Sequence, residues 1–542
     1  MNTFPNLYFP RDRSRTLLLL LLLGVIYVPF LNNPLVFDDV ALFNSSVTYF
    51  ADANFDFILR WFTYTSFGVT WVFFGEDPWI FRIQNLLLHA ANVLLLLLVL
   101  RLWISLFVKE PARQKMAAWG AWLGALGFAI HPLAVYGVGY LVERSILLAT
   151  LFVLLMHLAY FRGVMAGDKR YAVLAVAAYF LALFSKEHSL MAPAILLPMT
   201  WVLRAQFKLS HRALIVTWLG FGMVALIVLL RIKGVLGQAY EIDAAALIGQ
   251  TELLKGVQTL HLLSVLTQAG LFFKYCLLMV VPNPAWMSID MRETFIFSYS
   301  DWTNWLGIFA FCCYGIFALI CSLRGGRTSL LGFALLYPWL MYMPEFSTVR
   351  VQEIFVLYRA YLWLPGFMLL IPLLLGALPD KKIILIGGLA VMLLVPLSWN
   401  RLWVFADNYR LWDDAVNLLH GEDRIGAQRT YYSRGYYASL ERKDWAGAIE
   451  DYQHSLKINS AFPSVRLALA GAYVNAGRNK EALVEYDKAI ALNPENAETY
   501  YWKSHFLRKI RDKAGAEIAL KKSCKLGKSM ACSLLNISKL RK

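Results

Sequence analysis

The chain has 542 residues, 59% of them hydrophobic and 15% aromatic, with a mean hydropathy of +0.52; these values exclude an ordinary soluble domain and point to a polytopic membrane protein. A formal charge of +16 does not imply nucleic acid here, because the Lys and Arg residues fall in short clusters between apolar runs, the pattern that retains loops in the cytoplasm. Arg11, Arg13 and Arg15 precede the first leucine run, but no small-residue cleavage site follows, so an uncleaved first span is expected.

Apolar runs of roughly 15 to 20 residues predict spans. They lie near residues 16–31, 80–104, 117–131, 145–161, 171–184, 189–203, 213–230, 303–322, 328–343, 361–378 and 383–399, eleven in all. Basic residues then mark alternate loops: Arg11 to Arg15, Lys109 to Lys115, Arg162 to Arg170, Arg204 to Arg212, Arg324 to Arg327, and Lys381 with Lys382. Within 231–302 the stretch from Leu253 to Val281 is apolar enough to suggest a further span. A single crossing there would put Arg324 on the wrong side. The whole segment is therefore expected outside the cytoplasm, with helices that lie on the membrane or dip into it and return. The first outer loop, 32–79, carries the adjacent Asp38 and Asp39 just after the first run, at the mouth of a membrane-embedded cavity.

An odd span count puts residues 401–542 on the same outer side, after a membrane domain of 1–400. Ala448, Ala482 and Ala516 stand 34 residues apart, each followed by a large apolar residue (Tyr452, Tyr486, Leu520) and a small one (Ser455, Ala489, Ser523). This period, with Pro494 after a helix, resembles tetratricopeptide repeats. Four cysteines sit in apolar stretches as small hydrophobes. Cys524 and Cys532 lie where two antiparallel helices turn, and suit a disulfide in an oxidising compartment; two unpaired thiols are the alternative. The segment CKLGKSMACSLLNI also resembles a Sel1-like repeat, which implies that the pair staples one helix hairpin.

A longer resemblance begins in the first loop. FDD at 37–39, then Arg60, then GEDPW running into NLLLHAAN with His89 resemble the membrane O-mannosyltransferases that carry tetratricopeptide repeats, and their bacterial relatives in the GT-C superfamily. Matches follow in the family's order: HPLAVYGVGYLVERSILLATLF from His131, FSKEHSLMAP from Phe184, PNPAWMSID from Pro282 and LYRAYLWLP from Leu357. The relatives often carry a Glu shortly before the Arg of the last motif; here Leu357 stands near that place, with Glu353 one helical turn earlier as a substitute. The resemblance implies an all-α chain, a GT-C-type bundle of about eleven spans followed by a tetratricopeptide/Sel1-like solenoid. It also implies use of a polyprenyl-phosphate sugar.

The chemistry agrees with that implication. A sugar on a lipid phosphate has a leaving group that is already charged, so its departure needs cations. An acceptor hydroxyl needs a carboxylate within hydrogen-bond reach. Asp38 or Asp39 supplies the base; Arg359, Lys186, Arg60 and Arg144 are the clamp candidates, since ionisable residues beside spans are costly unless paired or facing a wet cavity. The structural alternative pairs Lys186 with Glu187 and Arg144 with Glu143. Glu187, His89, His131, Tyr361 and Glu353 complete the candidate set. None of His89, His131 and His188 shows ligand spacing, so satisfied buried histidines are expected, while Mg²⁺ or Mn²⁺ bridging Asp38, Asp39 and the donor phosphate stays open. Trp61, Tyr64, Trp71 and Trp79 are mostly packing, with stacking on sugar or prenyl groups as the alternative.

The leading expectation is an inverting transferase that moves one sugar to a hydroxyl of a protein, such as a pilin, outside a bacterial inner membrane. Its repeats would hold the acceptor in the periplasm, its partners would be membrane lipids and the lipid-linked donor, and nucleic acid would not be among them. The alternatives are an oligosaccharide transferase, ligase or polymerase using lipid pyrophosphates, a non-catalytic repeat scaffold, and an endoplasmic reticulum location with lumenal repeats.

Overall fold

The computed structural model of the chain describes residues 5, 7, 12–52, 58–108, 112–239, 241, 244–250, 259–376 and 378–540. Arg11, Lys109 and the beginning of the stretch from Leu253 lie outside the described residues. Among those described, every regular element is helical. The chain divides into two compact units: Met1–Ala245, Val257–Met291 and Phe295–Asp407 form one, while Ala246–Gly256, Arg292–Thr294 and Asn408–Lys542 form the other.

The first unit is a bundle of long apolar helices whose starts are fixed by local chemistry. Asp77 accepts the Trp79 N–H before Pro78–Phe107, Asp168 that of Arg170 before Lys169–Ser185, and Ser210 that of Ala213 before His211–Ile232. By length and composition eight described helices can cross a membrane, or nine if the pair Met116–Ile130 and Pro132–Val138, bent by 59°, counts as one span. Eleven were expected. The run at 117–131 breaks at His131–Pro132. The run at 189–203 is no single α-helix, because Glu187–Ile195, with Pro193 inside it, is wound as a 3-10 helix before Leu196–Leu203. The helices Lys169–Ser185 and Gly326–Tyr342 are each 17 residues long, just short of a full crossing. Apolarity marked these runs; helix continuity did not follow it.

One of the eight qualifying helices, Leu260–Val280, falls in the segment expected to hold no span. Its contacts show that it runs across one end of the bundle. His261 touches the Phe346 carbonyl, Thr267 bonds the Ile296 N–H, Phe272 packs on Phe311, Tyr275 bonds the Val356 backbone, and the Met279 carbonyl accepts from His131. Phe346, Ile296, Val356 and His131 lie in the segments that join the long helices, and Phe311 lies inside Trp302–Leu323. Close helix packing comes from small residues: a Cβ on Gly332 would strike the backbone of Ser322 in the neighbouring helix Trp302–Leu323.

The end that this helix covers also collects Leu31–Ala41, residues 131–144, 185–190 and 343–359. Asn33 reaches the Leu402 carbonyl at 3.1 Å, and Arg82 bonds the carbonyls of Pro34 and Gly139 at 2.5 and 2.8 Å. The opposite end is marked by Lys115 beside Asp380 at 3.1 Å. The 131–144 corner thus lies against the turn that carries Asp38 and Asp39.

The second unit is a solenoid of antiparallel helix pairs from Asn408–Asn417 to Ser529–Leu540. Ala448, Ala482 and Ala516, Tyr452, Tyr486 and Leu520, and Ser455, Ala489 and Ser523 are all buried, so the 34-residue pattern is the packing face between consecutive helices. Asp444, Asn496 and Asp512 cap three of these helices with their side chains. Cys524 and Cys532 are joined by a disulfide with their Cα atoms 4.8 Å apart, stapling the last pair. The free cysteines Cys276, Cys312, Cys313 and Cys321 are all in the first unit.

Candidate functional site

The two adjacent aspartates turn apart. Phe37 has φ 50, and the short helix Asp38–Ala41 starts directly after it. Asp39 faces inward and is fully buried; its carboxylate accepts the backbone N–H of Val142 at 2.8 Å, of Leu141 at 3.3 Å and of Val36 at 3.4 Å. Burial pushes its pKa up to about 7 against the pull of Arg82 and these three N–H groups. Asp39 therefore ties the first turn to the 141–143 corner, and its lone pairs are spent on backbone. Asp38 is exposed, and its own N–H donates to the Tyr140 hydroxyl at 3.1 Å. The base candidate of the pair is Asp38.

From Tyr140 an aromatic bridge leads to the cations. The Tyr140 and Tyr358 rings are 6.3 Å apart, with the Lys186 ammonium 4.7 Å and the Arg359 guanidinium 5.8 Å from the Tyr358 ring centre. Asp38 and Arg359 thus share one end of the bundle. Three of the four expected cations have a carboxylate partner. Arg60 grips Glu187 through two bonds of 2.5 and 2.9 Å, Lys186 meets Glu143 at 3.1 Å, and Arg359 meets Glu345 at 2.5 Å and Glu353 at 3.3 Å. The pairing differs from sequence adjacency: Lys186 takes Glu143, leaving Glu187 to Arg60. Burial raises the Glu187 carboxyl, but the Arg60 guanidinium outweighs it and holds the acid well below its ordinary range. For Lys186, burial and the nearby Arg60 lower the ammonium's pKa. Arg60, with φ 63, is a second residue held in left-handed backbone beside this cluster, the kind of strain that surrounding structure must impose.

Beside the cluster lies a cavity of about 480 Å³. One wall is apolar, made by residues such as Ile58, Leu229, Ile232 and Leu236; the other presents Arg60, Glu187, His188 and Arg350. Such a cavity suits an amphiphile with an anionic head. In the second unit a concave groove of about 640 Å³ is lined by Tyr432, Tyr436, Trp502 and His505 together with Asn475 and Glu498.

Several expected site residues have other work. Arg144 is fully buried away from the cluster, with Nε on Asn85 at 3.0 Å, Nη1 on Thr70 at 3.2 Å and Nη2 on the Phe81 carbonyl at 3.3 Å, its guanidinium lying 4.2 Å from the Phe67 ring centre. Its role is to lock three helices together, so it leaves the phosphate-clamp set. Its neighbour Glu143 points the other way, to Lys186. His89 is buried between the Tyr361 hydroxyl at 2.7 Å and the Ala129 carbonyl at 3.2 Å, and Asn92 also reaches Tyr361. His131 accepts the Leu133 N–H at the start of Pro132–Val138 and faces the Met279 carbonyl. These three residues are packing and capping groups. Among the described residues no group of three or more His, Cys, Asp or Glu could hold a metal ion. Asp39 has no oxygen turned out to share with Asp38 in such a role.

Glu345, Arg350 and Glu241 escaped the sequence reading, and His188 joins them. Glu345 lies 3.4 Å from Arg350 as well as against Arg359, Glu241 lies 3.6 Å from Arg350, and the buried His188 ring sits between Glu187 at 3.4 Å and Glu345 at 3.3 Å. The available signal was MPEFSTVRVQE, where three charges of both signs follow directly on an apolar run. Arg359's shorter contact is with Glu345, so the carboxylate lacking at Leu357 comes from farther upstream than Glu353.

The tetratricopeptide repeat family model matches residues 439–502. No curated protein matches the chain. A chain in the crystal structure of the APC/C hetero-tetramer Cut9-Hcn1 is similar at 13% identity over 92% of this chain and 97% of that one, with a TM-score of 0.21, and nothing about this chain follows from it. Residues 439–502 are therefore tetratricopeptide repeats, and every regular element among the described residues is helical.

Proposed function

We propose that the first unit is an inverting glycosyltransferase that moves a single sugar from a polyprenyl phosphate to a hydroxyl of a protein, with the repeats engaging that acceptor. The observation that supports this reading most is the gathering, at one end of the bundle, of an exposed carboxylate (Asp38), three cations (Arg60, Lys186, Arg359) and a mostly apolar cavity with a few charged residues in its wall. In the reaction the acceptor oxygen attacks the anomeric carbon while Asp38 takes its proton. The bond from that carbon to the phosphate oxygen breaks, and the lipid phosphate leaves with the electron pair, stabilised by the cations. The apolar wall receives the first prenyl units. Tetratricopeptide repeats generally bind protein segments, which fits a protein acceptor.

One observation favours a different reading, a membrane-anchored scaffold. Every cation of the cluster already has a carboxylate partner, as a purely structural network would. The two differ in product. Purified protein in liposomes, given a polyprenyl-phosphate sugar and surface proteins as acceptors, is expected to add the mass of one sugar to the acceptor, and Asp38→Asn to stop it. No mass change with wild type, together with altered assembly of surface proteins in cells lacking the chain, would favour the scaffold.

A further inference from the structure

Glu345 lies behind the cavity wall. It is 1% exposed and does not line the cavity, yet it touches two residues that do. Its Oε2 faces the Arg350 Nε at 3.4 Å and the Arg359 Nη1 at 2.5 Å; its Oε1 faces the His188 ring at 3.3 Å. Arg350 is braced on its other side by Glu241 at 3.6 Å. The His188 ring, itself only 3% exposed, stands in the wall between Glu187 and Glu345. Neither of its nitrogens is aligned for a hydrogen bond, nor is Glu345 Oε1. A buried imidazole held loosely between two carboxylates, in a cavity wall it shares with the guanidiniums of Arg60 and Arg350, can turn a ring N–H to a ligand oxygen.

We infer that Glu345 is a positioning residue: from behind the wall it holds Arg350 and His188 turned onto an anionic headgroup that enters the cavity, while its pairing with Arg359 ties that wall to the neighbouring cations. This deepens the glycosyltransferase reading and rests on it. It adds Arg350 and His188 to the headgroup contacts and gives the network a reason to be paired before the ligand arrives. A single carboxylate shared by two guanidiniums keeps like charges close together that would otherwise repel. Burial raises the Glu345 carboxyl, but Arg359 and Arg350 outweigh it and hold it below the ordinary carboxylate range.

The test uses the full-length protein in detergent with two probes, undecaprenyl phosphate and undecaprenol, which share the lipid and differ in the phosphate. Native mass spectrometry gives the affinity for each, and thermal unfolding reports the fold. Wild type is expected to prefer the phosphate. Glu345→Gln is expected to lose about tenfold or more of that preference, Glu345→Asp to recover part of it, and undecaprenol binding to stay unchanged in both. A merely structural role would weaken the two lipids alike. If Glu345→Gln does not fold, Arg350→Gln and His188→Gln carry the test, and a wild-type phosphate preference in both overturns the inference. Wild type that prefers the phosphate while Glu345→Gln keeps the same preference overturns the inference alone. Wild type that binds neither lipid overturns the glycosyltransferase reading as well.

Discussion

Replacing Asp39 by alanine is expected to damage the fold, whereas asparagine there is tolerated. The alanine variant leaves three N–H groups, those of Val36 and Leu141, which are buried, and of Val142, which is partly buried, without their acceptor. Two of these bonds are long and one is short, and with about 1–3 kcal/mol for each buried group left unmatched the cost comes to roughly 3–5 kcal/mol. Asparagine keeps an oxygen in place and removes the cost of burying a charge. The pH dependence has a definite sign. Burial raises the folded pKa of Asp39 from its ordinary 3.8 to about 7, so the folded state binds the proton more tightly than the unfolded state. Stability is therefore greatest at low pH and falls as pH rises from about 4 towards 7. Thermal unfolding in detergent across that window checks this: wild type should lose stability as pH rises, Asp39→Asn should lose less, and Asp39→Ala should be the least stable throughout. Normal stability of Asp39→Ala with abolished transfer would refute the reasoning and return Asp39 to the chemistry.

Arg144→Ala removes the anchor of three buried acceptors and is expected to cost more than about 3 kcal/mol; it should unfold early, while Arg144→Lys recovers part of the stability and any transfer that remains. Cys524→Ser with Cys532→Ser should cost about 2–3 kcal/mol by the loop-entropy estimate. The loss should be confined to the last helix pair, seen as faster hydrogen exchange from 513 onward with the membrane unit unchanged. Arg60→Gln leaves Glu187 buried beside Lys186 and His188 and is expected to lower donor affinity more than the turnover rate, read as a raised KM in the transfer assay.

How much of this was legible in the sequence depends on what each pattern encodes. The 34-residue alternation of small and large residues was readable because each repeat buries the same positions, Ala448, Ala482 and Ala516. Hydropathy located the apolar runs but could not report helix continuity, which is why the run containing Pro193 and the bend at Pro132 were counted as spans. It could not report direction either: Leu260–Val280 has the composition of a span and lies across the bundle. In the candidate site, the end of the bundle was foreseen and the partners were not. Asp38 and Asp39 are adjacent in sequence, yet the turn at Phe37 sends one to solvent and the other to backbone amides. Glu143 and Arg144 likewise face opposite ways, so Glu143 pairs with Lys186 from 43 positions away. Glu345 and Arg350 were missed because the charges of MPEFSTVRVQE, though they follow directly on an apolar run, do not say which distant partners they meet.

The central claim is that one end of the helical bundle binds a lipid phosphate and moves its sugar. Reconstituted wild type, Asp38→Asn and Arg359→Gln, given the same polyprenyl-phosphate sugar and an acceptor protein, test it by the intact mass of the acceptor. The account predicts a one-sugar increment with wild type, none with Asp38→Asn despite retained donor binding, and none with Arg359→Gln because donor binding is lost. An unaltered increment with Asp38→Asn, in a protein whose fold is intact, would contradict it.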